Sequence, residues 1–248
     1  LVNSMFSDIG FAVTAGVATL VLFTFVFINS YRDNLSSELI VTTAVGKQKS
    51  IELADGSEVV LNTNSQVRVE YDENRRLLKL NRGEAVFSVE HDASRPFDVM
   101  VGGGVVRAIG TRFSISVVDD KVTVSVLEGK ITVLKKEMNN GKSSLLTAGL
   151  TASFSASNLL DITVDEKEQQ RVEAWLDGKL VFTNLRLADA LAEHNRYAEK
   201  HIVVADPVLA EKELSGVFKI GDTAAFVEAL ELVLLLDVAE EKGTYVVR

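Results

Sequence analysis

The chain has 248 residues, with 26 Lys and Arg against 35 Asp and Glu and a formal net charge of −9. It contains no cysteine, which excludes a disulfide frame, a thiol nucleophile and a thiolate metal site. The acidity is uneven: residues 46–135 carry thirteen cations and thirteen anions, residues 136–248 twelve against nineteen, so the second half argues against nucleic acid as a partner.

Residues 1–8 (LVNSMFSD) hold no Lys or Arg and read as a short N-terminal remnant. Residues 9–31 then run uncharged for twenty-three positions, rich in Val, Phe, Leu, Ala and Ile. At about 1.5 Å per residue such a helix reaches roughly 34 Å, against a hydrocarbon core of about 30 Å. A membrane span is therefore expected over 9–31 in preference to a buried core helix. A cleaved signal peptide fits less well, because it needs a basic start and a small-x-small cleavage site, and the run ends in FINSYRD. Arg32 is the nearest flanking cation, and one arginine leaves the orientation open. Residues 32–44, polar and short of bulky groups, read as a stalk.

From Val45 the pattern turns to β over 45–155. IELADGSEVVLNTNSQVRVEY alternates apolar and polar residues around a turn at Asp55-Gly56 and the cluster Asn62–Ser65. RRLLKLNRGEAVFSVE follows, with Leu78, Leu80, Ala85, Phe87 and Val89 at even spacing and Gly83 placed as a turn or bulge residue. Asp119-Asp120 and Glu128-Gly129 read as hairpin turns. Short strands recurring every eight to twelve residues predict an all-β sandwich, prism or solenoid. Gly102-Gly103-Gly104 resembles a phosphate-cradling loop, but VVRAIG after it reads as a strand, so a glycine-lined turn is expected. In Arg95-Pro96-Phe97 and Gly110-Thr111-Arg112-Phe113 an arginine precedes a phenylalanine that can point inward, which predicts structural roles for both motifs.

LADGSEVVLNTNS (53–65), LNRGEAVFSVE (80–90), RPFDV (95–99), AIGTRFSI (108–115) and VLEGKITV (126–133) resemble, in order and spacing, the FecR family of bacterial sigma-factor regulators. The motif residues that carry the likeness include Gly83, Arg95, Pro96, Phe97, Gly110, Thr111, Phe113, Glu128 and Gly129.

Residues 156–174 read as a linker, after which 175–248 change texture. Trp175, the only tryptophan, precedes a turn at Asp177-Gly178 and a strand over 179–183. Asn184 is the expected N-cap of a helix carrying Leu187, Ala190, Leu191 and His194 on one stripe. Strands follow at 201–205 and 212–220, then an amphipathic helix capped by Asp222 with Phe226, Leu230 and Val233 inward, then two closing strands. This β-α-β, β-α-β, β order predicts a small α+β domain. It is similar to the STN module of secretins and TonB-dependent transducers, on W-x-x-G-x-L-x-F (175–182), HNRY (194–197) and LSGVF (214–218).

Nothing points to an enzyme: there is no Ser/His/Asp order, no H-E-x-x-H and no cysteine cluster, and DITVDEKE (161–168) lacks the spaced ligands of a calcium loop. Neither cofactor nor metal is expected. Binding remains, through a sheet edge or through Leu187, Leu191, Leu214 and Phe218, for which core packing is the competing role. The resemblance implies a single-pass inner-membrane protein with a periplasmic body. Its implied partners are the periplasmic signalling domain of a TonB-dependent siderophore transducer, envelope proteases, and an extracytoplasmic-function sigma factor. The sigma factor is reached through a cytoplasmic segment missing or truncated in the eight residues before the span. The alternative is a membrane-tethered envelope scaffold that assembles through exposed strand edges.

Overall fold

The computed structural model describes residues 23–24, 37–72, 74–135, 143–155 and 161–248. The expected span over 9–31 lies outside the described residues except for Phe23 and Thr24, which are helical. Among the described residues no helix is long and apolar enough to cross a membrane.

The first lobe is built on one long strand, β5 (Arg76–Ser88). Its burial alternates over 76–80, is lost over 81–83, and is continuous from Glu84 to Phe87, where Ala85 and Phe87 join the sandwich core and Val86 a second cluster. Gly83 sits at φ +81°, and a Cβ there would stand 2.3 Å from Ser65 Oγ and 2.6 Å from Ser65 Cα. Only glycine allows this close approach, so the strand bends there and crosses from one sheet to another.

The N-terminal half of β5 pairs with β4 (Gln66–Tyr71) and, in parallel, with β6 (Phe97–Val101). That sheet continues through β7 (Gly104–Ala108), β10 (Lys130–Lys135) and β11 (Ser143–Thr147), and is closed beyond β4 by β1 (Ser37–Thr42). The C-terminal half pairs with β3 (Glu58–Leu61) and β8 (Arg112–Val118), extended by β2 (Lys49–Glu52), β9 (Lys121–Glu128), β12 (Leu150–Phe154) and β13 (Asp161–Val164). Inward residues of both sheets, among them Val67, Leu78, Val99 and Ile131 against Leu61, Phe87, Phe113 and Val124, form one core. The lobe is thus a β-sandwich, selected among the three all-β architectures the strand rhythm allows.

Several local expectations change. Ser37–Thr42, read as part of a stalk, is β1, in register with β4 from Ser37↔Tyr71 to Thr42↔Gln66. Glu128-Gly129 makes no hairpin: β9 stays with β8 and β12 while β10 joins β7 and β11, so Gly129 (φ +79°) turns the chain between sheets. The stretch 156–174 is not a bare linker, since 161–164 is β13 and Glu166–Leu176 is a helix, α1. Asp165 caps α1 by accepting from Glu168 N at 3.0 Å, and Glu166 and Glu168 favour its positive end. Asp119-Asp120 is a hairpin turn as expected, both residues at positive φ, and Gly102-Gly103 is a tight turn between β6 and β7.

The second lobe places α2 (Leu187–Asn195) and α4 (Thr223–Leu234) on two short sheets. One pairs β14 (Lys179–Arg186) with β16 (Glu213–Lys219). The other runs β15 (Ile202–Val204), β18 (Thr244–Val247), β17 (Val238–Glu241), and a one-turn helix α3 (Pro207–Ala210) links the two. Leu187, Leu191, Leu214, Phe226 and Leu230 fill its core. Asp222 caps α4 as expected, accepting from Ala225 N. Asn184 does not cap α2: it adopts φ +47° in a bulge of β14 and accepts from the Ser215 hydroxyl, while Arg186 takes the cap position. Val233 faces solvent at 65% exposure.

Candidate functional site at the junction of the two lobes

The two lobes meet on a buried carboxylate. Glu84 follows the Gly83 bend and is fully buried. Its Oε1 accepts from Arg171 Nη2 at 2.5 Å and Trp175 Nε1 at 3.0 Å. Its Oε2 accepts from Arg196 Nη2 at 2.7 Å, Asn62 Nδ2 at 3.0 Å and Arg171 Nη1 at 3.2 Å. An ionised carboxylate with five donors is satisfied, which is the condition for keeping a charge in a dry site.

Each donor arrives for a local reason. Arg171 and Trp175 lie four apart on α1 and share one face, and Val172 and Trp175 pack with Val86, Val60, Leu127 and Ile220 in a small apolar cluster between lobes. Arg196 and Tyr197 end α2, where the chain turns back toward the sandwich. Glu168 and Glu193 each bind Arg171, and Glu193 also binds Arg196. Burial acts to raise the Glu84 carboxyl's pKa, but the Arg171 and Arg196 guanidiniums outweigh it and hold the group at about 2. The same carboxylates push both guanidiniums above their ordinary range.

Around the charges a ring of polar bonds fixes the approach. Asn62 Nδ2 also donates to the Tyr197 hydroxyl at 2.7 Å, and Thr63 Oγ1 donates to Arg196 O at 2.9 Å. Gly46 N donates to Thr63 Oγ1 at 2.8 Å, and Gln48 Nε2 donates to Trp175 O at 2.8 Å. The NTNS cluster, read from sequence as a polar break in the alternation, is therefore also the seat of the second lobe.

The motif residues of the sandwich serve its packing. Phe97 and Phe113 are fully buried beside Phe87. Arg95 pairs with Asp92 at 2.9 Å, and its carbonyl accepts from Arg76 Nε at 2.7 Å, with Pro96 half-buried between strand and loop. Arg76, wholly buried, pairs with Asp55 at 2.8 Å and lies 5.6 Å from the Phe97 ring centre. Gly110, Thr111, Glu128 and Gly129 line a shallow cavity of about 490 Å3, where a Cβ on Gly129 would press on Thr111. Trp175 is fully buried at the junction.

Leu187, Leu191 and Leu214 are at most 3% exposed, and Phe218 packs tilted against Phe182 and edge-on to Phe226. A partner docking on the folded lobe meets none of the three leucines. Sequence reasoning passed over Glu84, Arg76, Arg171 and Arg196. The available signal was a Glu directly after a strand glycine and ahead of the apolar residues Ala85, Val86 and Phe87, but its arginine partners lie 87 and 112 positions away. Among the described residues no group of three or more His, Asp or Glu is arranged to hold a metal ion.

No curated protein matches the chain. Two crystal structures of a candidate anti-sigma factor from Parabacteroides distasonis ATCC 8503 superpose on it. The structure at 2.50 Å resolution has a TM-score of 0.68 at 24% identity, and the one at 1.65 Å has 0.69 at 23%. Each covers 85% of this chain and 98% of its own, so the fold is shared through both lobes. The FecR protein family profile matches residues 40–132, which carry β1 through β9, the Gly83 bend, Glu84 and the NTNS seat. Through this segment the chain is similar to FecR proteins.

Proposed function

We propose that this protein is a single-pass inner-membrane regulator of an extracytoplasmic-function sigma factor. Both lobes stand in the periplasm, and the second receives the periplasmic signalling domain of a TonB-dependent siderophore transducer. The observation that carries the reading is the FecR match at 40–132, whose residues Asn62, Thr63 and Glu84 seat the second lobe. The shared fold with a candidate anti-sigma factor supports it, as does the likeness of 175–248 to an STN module, two helices laid on two short sheets. In this reading 9–31 is the anchor, envelope proteases cut the regulator after the transducer docks, and the released cytoplasmic segment acts on the sigma factor.

Titration calorimetry of residues 37–248 against purified transducer signalling domains tests the proposal. The expected result is a one-to-one complex of micromolar affinity or tighter with one transducer, lost when 175–248 are removed. If no transducer domain binds and the fragment self-associates instead, an envelope scaffold replaces it.

A further inference from the structure

The junction has a second side. Along β14 runs a groove of about 360 Å3, walled by α1 and by α2, with Val181, Phe182 and Leu185 between them. Three properties coincide there. Among the described residues β14 pairs only with β16, so its other edge offers unpaired main-chain donors and acceptors. Val181, at 41% exposure, gives the groove an accessible apolar floor. The rim carries Asp165, Glu168, Asp189 and Glu193 against Lys167 and Arg171, and Arg171 is already engaged by Glu84, Glu168 and Glu193.

We propose that this groove takes an extended cationic segment of a partner protein, added as a strand to the free edge of β14. Main-chain bonds to that edge give affinity, alternate side chains reach Val181, and a lysine or arginine meets Glu168 and Glu193. A nucleic acid is repelled by the anionic rim, and a strand edge is matched by another strand rather than by a small molecule. The inference goes beyond the reading above, since it holds whichever protein carries the segment.

The position makes the groove regulatory. Glu168 and Glu193 are the carboxylates that hold Arg171 and Arg196 against Glu84. A cation entering the groove competes for them, so filling it weakens the docking of the two lobes. By linkage, weakening the docking favours filling it.

The test uses the full chain in detergent micelles and a fluorescein-labelled nine-residue peptide alternating valine and lysine, with its valine–glutamate counterpart as control. Anisotropy should show saturable binding of the lysine peptide, weakened at least tenfold in the control and in Val181→Lys. Val181→Lys places a cation on an exposed position of the groove, where it meets the incoming lysines with like charge. Should circular dichroism show that it does not fold, Thr183→Lys replaces it at the same exposed edge. Trp175, the sole tryptophan and buried against Glu84, should shift its emission to longer wavelength as the peptide saturates. Absence of saturable binding, or binding that survives the lysine substitution, overturns the site. Binding with unchanged Trp175 emission overturns the coupling.

Discussion

Replacing Glu84 by Gln tests whether the buried charge holds the lobes together. The substitution keeps the shape and one carbonyl acceptor for Trp175, but removes the charge facing Arg171 and Arg196. Protonating Glu84 in place is the same perturbation, and its pKa falls from 4.5 to about 2 in the folded protein. At about 1.4 kcal/mol per unit this is on the order of 3 kcal/mol. That agrees with the roughly 3–5 kcal/mol typical of removing one partner from a buried pair. The cost lies toward the lower end, because Arg171 keeps Glu168 and Glu193, and Arg196 keeps Glu193.

Urea unfolding followed by Trp175 fluorescence reads the junction directly, and circular dichroism followed alongside reads the strands. With an m-value near about 3 kcal/mol/M, the Trp175 midpoint should fall by about 1 M. A loss below about 1 kcal/mol would refute the reasoning, because the carboxylate would then be an incidental passenger in an apolar interface. The sign with pH is set as well. A depressed carboxyl contributes stability that is complete above its unfolded value near 4.5 and is lost as pH falls toward about 2. Glu84→Gln should erase that part of the acid sensitivity.

Three further outcomes follow from single positions. Gly83→Ala combines positive φ with contacts to Ser65 and Asn64 under 3 Å, and should destabilise the sandwich by at least about 2 kcal/mol, read as a melting temperature lower by about 5 °C or more. His194 is buried against the Phe226 ring with neither ring nitrogen hydrogen-bonded, and burial pushes its pKa down. The unfolded chain therefore binds more protons below about pH 6.5, so stability should fall as pH drops through that value, and His194→Leu should flatten the dependence in urea midpoints measured at pH 7.5 and 5.5. Leu235 holds a left-handed φ of 54° with its side chain 85% exposed, so Leu235→Gly should raise stability by about 0.5–1 kcal/mol in thermal melts; a decrease would mean that the side chain has a contact to lose.

The sequence by itself determined the elements whose cause is local. Alternation marked the strands around Phe87, Phe97 and Phe113, aspartates marked the start of α4 and the hairpin at Asp119-Asp120, and the 187–194 stripe gave the buried face of α2. Motif order gave the likeness to FecR proteins, which the family match over 40–132 bears out. Asn184 was misread because an Asn before a helical run suits both a cap and a left-handed bulge residue, and pairing with β16 chose the bulge. The Glu128-Gly129 turn was misread as a hairpin because turn chemistry records that a chain reverses, while the sheet receiving the next strand depends on the partners β7 and β11. The junction was invisible for the same reason. Glu84 is an ordinary surface residue until Arg171, Trp175 and Arg196 arrive from far along the chain, and only their assembly makes a buried charge bearable.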